Sequence, residues 1–230
     1  MKKITTLLLA ALLLLSLAAC SAKQPAAEPD SKTEAPATDA PATEAPATDA
    51  SESEEPDVIT GYANEDLGAR YDLPDDWNLV DEASLAELNG LTEKTFGDEE
   101  IDALLKKNGT AMVLYAQSDD TMQTLNIVAE NLNLLYTLSL DEEAYIDAAI
   151  PTVESGLAAN GFTDIQIEKS TTTFLGSEHV CISICVTLQG APLYETLVPV
   201  KSGSTIYVIT AASYMEDRTG DVLACFTPLA

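Results

Sequence analysis

From Val58 onward the chain reads as short runs of alternating apolar and polar residues, broken by stretches with helical spacing and by turn-forming clusters. Gly68 to Trp77 predicts a strand that ends at Pro74, turns through Asp75-Asp76 and resumes at Trp77, because a proline cannot donate to a ladder and restrains the residue before it. Ser84 to Asn89 and Asp98 to Lys107 predict short helices. The second opens on acids and closes on Lys106-Lys107-Asn108-Gly109, as the helix dipole favours. Thr110 to Gln117 and Thr121 to Asn131 predict an antiparallel pair of strands around Ser118-Asp119-Asp120.

A longer helix follows. Ser139 and Glu142 have the spacing of a capping box, Ile146, Ile150, Val153 and Leu157 form one apolar stripe, and Asn160-Gly161 supplies the stop. Pro151 lies inside this pattern and is expected to kink or break the helix near Asp147. Four β-rich segments come next, Ile165 to Thr173, Glu178 to Leu188, Pro192 to Val200 and Thr205 to Ser213. Their turns at Gly176, Gln189-Gly190 and Ser202-Gly203-Ser204 make an antiparallel meander. Ser213 and Glu216 again have capping-box spacing, so a terminal helix is expected with Val222, Cys225, Phe226 and Leu229 as its buried stripe. Strands and helices are grouped, not strictly alternating, which points to an α+β fold with helices packed on an antiparallel sheet.

This order of elements resembles the PsbP/Mog-like fold over about residues 61–228. The residues that carry the likeness are the Leu73-Pro74-Asp75-Asp76-Trp77 turn after an early strand, the strand pair, the central helix ending at Gly161-Phe162, the meander with Gly176 in its turn, and the terminal helix. The chain is especially similar to bacterial lipoproteins of that group in which the domain follows a lipobox and a low-complexity stalk. The resemblance implies an α/β/α sandwich. Relatives with this fold include an extrinsic photosystem subunit and a Ran-binding nuclear import factor, neither an enzyme, so the implied role is binding or scaffolding.

Before Val58 the pattern is of another kind. Lys2-Lys3 and the apolar run Ile4 to Leu17 have the form of a signal peptide, and the run is shorter than the roughly 20 residues of a membrane span. Leu17-Ala18-Ala19-Cys20 closely resembles a bacterial lipobox. That resemblance implies removal of residues 1–19 and a diacylglyceryl group on the Cys20 sulfur; the rival reading is an ordinary secreted protein in which Ala-Ala-Cys is accidental. Two or more acyl chains hold a protein on a bilayer for long times, whereas one chain binds reversibly. Residues 20–57 then form a stalk. An Ala-Pro-Ala-Thr-acid unit recurs at Pro36, Pro41 and Pro46 and leads into the acidic run Ser51 to Asp57, so the segment has nothing with which to build a core. Extended at about 3.1 Å per residue, it reaches on the order of 100 Å. Its threonines are candidate sites for O-linked glycans. Residues 58–230 remain for one globular domain.

Charge narrows the partners. The chain carries 11 basic against 38 acidic residues, a net charge of −27. That excludes nucleic acid and disfavours close contact with an anionic surface, which suits a domain held away from its membrane. A lipid bilayer is the partner expected for Cys20, and an envelope protein or glycan the partner expected for the domain; the sequence does not settle whether the protein self-associates.

Candidate chemistry is sparse. His179 is the lone histidine, so a His-rich zinc site is impossible and any catalytic triad would need that residue. No Gly-x-Ser-x-Gly elbow and no phosphate-cradling glycine loop is present. Cys181 and Cys185 share one face of a strand about 13 Å apart and cannot bridge each other. Cys225 could pair with either one, or all three could be buried thiols. The acidic clusters at Asp75, Asp98, Asp119, Asp141 and Glu216 fit helix starts and turns better than a calcium loop. Tyr71 and Trp77 are the candidate partner-facing residues, as an exposed aromatic patch; the alternative places them in the core. No residue is singled out as catalytic, cofactor-binding or metal-ligating. The expected function is therefore a lipid-anchored, non-enzymatic binding module, with an envelope-directed hydrolase or a small-ligand-binding lipoprotein as alternatives.

Overall fold

The structure is a computed structural model and describes residues 61–91, 96–132 and 140–229. Among these residues the elements run β1 (Gly61–Asn64), β2 (Ala69–Asp72), β3 (Trp77–Leu79), α1 (Glu82–Leu88), α2 (Asp98–Asn108), β4 (Thr110–Ser118), β5 (Gln123–Asn131), α3 (Glu142–Ala159), β6 (Thr163–Phe174), β7 (Ser177–Leu188), β8 (Ala191–Ser202), β9 (Thr205–Tyr214), α4 (Thr219–Leu223) and β10 (Phe226–Pro228). They form a 7-stranded sheet in the order β3-β4-β5-β9-β8-β7-β6 and a 3-stranded sheet in the order β1-β2-β10. Every strand pair is antiparallel. The fold is α+β with helices packed on antiparallel sheets, as the grouping of the segments predicts.

The meander β6 to β9 turns on tight two-residue loops. Leu175-Gly176 and Gln189-Gly190 both have φ between 50° and 86°, the left-handed pair that matches the twist of a hairpin. Glycine meets this demand without a Cβ clash, and Leu175 and Gln189 accept the strain.

The two faces of the large sheet follow from the strand register, since residues directly opposite in an antiparallel pair point to the same side. Ile182 and Ile184 of β7, Leu193 and Leu197 of β8, and Ile206, Val208 and Ala212 of β9 share one core with Ile146, Ala149, Val153 and Leu157 of α3. The opposite face carries Leu125, Ile127 and Ala129 of β5 with Val198, Ile209 and Ala211, and packs with Leu85, Leu104, Tyr71, Val222 and Phe226 from α1, α2, the small sheet and the C-terminal segment. Helix α3 lies on β6, β7 and β8.

The structure differs from the local expectations at both ends of the meander. Helix α3 runs unbroken from Glu142 to Ala159 through Pro151. Pro151 and Asp147 both lie on the exposed side, so water can serve the Asp147 carbonyl that loses its proline partner. Its stripe uses Ala149 in full burial and Ile150 only in part. Its cap is the Asp141 carboxylate, which accepts from the Ala144 N–H at 2.8 Å; Ser139 lies outside the described residues. The terminal helix is also shorter than expected, because α4 ends at Leu223 and Phe226–Pro228 pairs with β2 as a strand. Of the expected stripe, Val222 and Phe226 are buried, in different elements, while Cys225 and Leu229 are only partly buried. Ser213 does not cap α4: its hydroxyl donates to the Glu216 carbonyl and accepts from Arg218 N–H at 3.1 Å, bracing the β9–α4 loop.

Candidate functional site

Strand β5 explains where the unusual chemistry lies. Its odd positions Leu125, Ile127 and Ala129 are apolar and point to the aromatic side; its even positions Thr124, Asn126, Val128 and Glu130 point to the α3 side. Such alternation ordinarily marks a half-solvated strand. Here both faces are buried, Asn126 to 0% exposure and Glu130 to 2%. Strand β8 adds Glu195, 1% exposed, between Leu193 and Leu197 on the same side.

Register brings these residues together. Ala212 of β9 stands opposite Thr124 on one side and opposite Glu195 on the other, while Thr210 stands between Asn126 and Leu197. With strands about 4.8 Å apart, the Thr124 and Glu195 backbones are about 10 Å apart across the small Ala212 side chain. Tyr115 of β4 lies opposite Asn126 and is itself buried. The Thr124 hydroxyl, both polar atoms of the Asn126 carboxamide and both oxygens of Glu195 are buried without a hydrogen-bond partner. Each such group costs about 1–3 kcal/mol if left unpaired. Burial alone pushes the Glu195 carboxyl up to about 7 and the Tyr115 hydroxyl up to about 12.

Glu130 is a different case. Burial pushes it to about 7 as well, but a hydrogen bond from Tyr145 opposes the shift. Tyr145, Ile146, Val153, Leu197 and Val208 close a cavity of about 20 Å³ beside it, room for a single water. Glu130 faces Ile206, six residues along β9 from the Ala212 that faces Glu195. The two buried carboxyls are therefore roughly 20 Å apart, beyond the spacing of a glycosidase acid pair.

The sequence candidates fall elsewhere. Tyr71 is 0% and Trp77 8% exposed, which corrects their assignment as partner-facing residues. Tyr71 sits between Trp77, with ring centroids 6.3 Å apart, and Phe226 at 4.8 Å, so the small sheet uses these rings to seal the aromatic core. His179 is held by Glu142, its Nδ1 3.2 Å from Oε2, and by the edge of the Phe174 ring. The paired residues of β7 and β8 end at Ile182 and Leu197, and beyond them Glu142 also accepts from the Lys201 N–H at 3.1 Å. His179 thus helps to anchor the first turn of α3. The acids Asp141, Glu142 and Glu143 beside it line an open hollow of about 400 Å³ with Glu178 and Lys201. Among the described residues no group of three or more His, Cys, Asp or Glu side chains could hold a metal ion.

Cys181, Cys185 and Cys225 are free thiols, so the bridge from the C-terminal segment to the sheet does not form. Cys181 is buried and shares a hydrogen bond with the Ser170 hydroxyl at 3.1 Å. No described helix is long and apolar enough to cross a membrane. Cys20, the stalk and residues 58–60 lie outside the described residues.

The polar cluster was legible in part. An acid set two residues from leucine on either side, as Glu195 is, marks a carboxyl in an apolar row. For Thr124 and Asn126 the alternation of β5 gave the opposite signal.

No known protein family and no curated protein matches the chain. Two solved structures show a distant likeness. One, from Bacteroides thetaiotaomicron VPI-5482, is 10% identical with a TM-score of 0.38 over 74% of this chain and 48% of its own, so the chain spans about half the length of that protein. The other is LpqN, involved in cell envelope biogenesis of Mycobacterium tuberculosis, 12% identical with a TM-score of 0.37 over 69% of this chain and 82% of its own.

Proposed function

We propose that this protein is an extracytoplasmic lipoprotein, anchored through acylated Cys20, whose α+β domain is carried on the 20–57 stalk and works as a binding module without catalysis of its own. The Leu17-Ala18-Ala19-Cys20 sequence supports the anchor, and the order of elements after the Leu73 to Trp77 turn supports a PsbP/Mog-like domain. The observation that carries the binding role is the set of buried, unpartnered side chains Thr124, Asn126 and Glu195 on one face of the sheet. Buried polar groups in folded proteins are almost always hydrogen-bonded, to the chain or to ordered water, and among the described residues this cluster has no partner within the chain.

Expression of the full chain in a bacterium fed an alkyne-tagged fatty acid tests the anchor. The natural chain takes up the label and sediments with membranes, and Cys20→Ser takes up none and is released. A Cys20→Ser variant that still sediments, or a natural chain that stays unlabelled, overturns the anchored reading.

A further inference from the structure

The 7-stranded sheet ends in two unlike edges. β3 is 3 residues long, whereas β6 runs for 12 and pairs with β7 alone. An edge strand presents a row of unpaired backbone N–H and C=O groups, and folded proteins blunt it with short strands, bulges, proline or lysine. The irregularity of β6 is confined to its start, where the register shifts between Thr163 and Gln166 and Asp164 has a φ of 52°. From Gln166 to Phe174 the ladder is regular and free of proline, and Gln166, Glu168, Lys169, Thr171 and Thr173 are exposed. The lysine of β6 does not guard the edge, because its ammonium is turned onto α3 and donates to the Glu143 and Asp147 carboxylates at 2.8 Å each. Every second residue of this stretch therefore directs its N–H and C=O away from β7, with no strand among the described residues to meet them.

The flanks of the edge define what fits it. Ile167 and Lys169 stand opposite Ile184 and Ile182 and face α3, as does Ile165, whereas Glu168 and Ser170 stand opposite Ser183 and Cys181 and face the other side. On the α3 side, Glu143, Asp147, Ile150 and Glu154 recur at helical spacing. Glu143 and Asp147 hold Lys169, but no ion pair reaches Glu154 or Glu168 among the described residues. Ile150, Glu154, Ile165, Gln166, Ile167 and Glu168 line an open hollow of about 360 Å³ against the edge. An added strand alternates its side chains between the two faces of the sheet. Its residues on the α3 side meet Ile150, Ile165 and Ile167, which suit apolar groups, and its residues on the other side meet Glu168, which suits a cation. A second copy of this chain would bring the same acids to the seam, each copy carrying a net charge of −27.

We infer that the Gln166–Phe174 edge of β6 is a docking site for an extended segment of another protein in which basic residues alternate with apolar ones, the segment adding a strand to the sheet beside α3. The inference rests on the binding-module reading and names a surface and a partner class for it.

The test uses the mature chain from residue 20, carrying Cys20→Ser so that it is obtained without lipid. The probe is a labelled nine-residue peptide alternating lysine with valine, titrated by fluorescence anisotropy, and the same peptide with glutamate in place of lysine is the control. Two N-methylated versions of the basic peptide block its odd or its even backbone amides. The expected result is saturable binding below about 1 mM, weakened about tenfold or more when Glu154→Lys and Glu168→Lys are combined. Both positions are exposed, so the variant stays folded, which circular dichroism checks. One N-methylated version binds like its parent and the other does not, because only alternate amides of an added strand face β6. Amide exchange slows at alternate residues between Gln166 and Phe174 and not in β3. Equal or tighter binding of the acidic peptide overturns the basic class. Both N-methylated versions binding as well as the parent overturn strand addition, and binding that leaves exchange in β6 unchanged overturns the site. Dimerisation of the peptide-free chain in sedimentation, with β6 already protected, assigns the edge to a second copy and overturns the partner. No binding of either peptide overturns the inference alone. The binding-module reading falls separately, if the immobilised chain retains no envelope protein or glycan saturably against a stalk-only control.

Discussion

The two sides of β5 differ by one residue in phase and by much more in chemistry. On the aromatic side Leu125, Ile127 and Ala129 meet apolar partners from the small sheet, α1, α2 and α4, and among the described residues of that core Tyr71 has an unpartnered hydroxyl. On the α3 side, Thr124, Asn126 and Glu130 enter the same depth of burial, joined by Glu195 from β8. One face spends its buried area on rings in edge contact, the other on groups that water would hold better. A stable core does not need the second arrangement, and replacing such groups with apolar ones of equal shape is often neutral or stabilising. The difference between the faces is therefore one of energetics: one face is paired and apolar, the other keeps buried groups without partners among the described residues.

The largest effect is expected on the aromatic side. Tyr71→Ala empties the space between Trp77 and Phe226 and should lower stability by about 3–5 kcal/mol, a fall in melting temperature on the order of 10 °C. Thermal unfolding measures it. A loss under about 1 kcal/mol would mean that Tyr71 is not the core residue its burial indicates.

On the α3 side the sign reverses with pH. Glu130 and Glu195 release their protons near 4.5 in the unfolded chain and near 7 when folded, so the folded state binds more protons in between. Their contribution to stability is therefore fully present below about pH 4.5, falls as pH rises toward 7 and is lost above it. Glu195→Gln has no proton to lose and should be more stable than the natural chain by about 1–3 kcal/mol at pH 8, with the advantage shrinking toward pH 5. Denaturant titrations at the two pH values decide it. An advantage equal at both would show that Glu195 is not a titrating buried acid.

Smaller effects sharpen the same contrast. Thr124→Val replaces an unpaired hydroxyl with a methyl group and should stabilise by about 1 kcal/mol, whereas the same exchange at a solvated threonine changes little. Asp141→Ala removes the α3 cap and should cost about 1 kcal/mol. Hydrogen exchange that quickens in the first turn of α3, and not in β2 or β10, would confirm that the loss is local to the layer over the polar face.

Legibility in the sequence follows the range of the forces involved. Strand pairing from Thr110 to Asn131, the meander turns at Gly176 and Gln189-Gly190, and the stop of α3 at Asn160-Gly161 were all readable, because alternation and turn chemistry act within a few residues. Val222, Cys225, Phe226 and Leu229 fit a helical stripe by spacing alone, and only the ladder to β2 makes Phe226 part of a strand. Pro151 predicts a break in α3, and its exposed position lets the helix run on. Tyr71 and Trp77 could be surface or core, since the side that an aromatic ring faces depends on whether a second sheet covers it.

The sequence by itself determined the lipobox and stalk as expectations, the strongly acidic charge, and the α+β class, since each is written in contiguous residues. The tertiary structure alone decided that both faces of β5 are buried and brought Thr124, Asn126 and Glu195, 71 positions apart at their widest, around Ala212. The physical reason is that pairing partners and burial are set by strand order in the sheet, and strand order is a property of the whole chain.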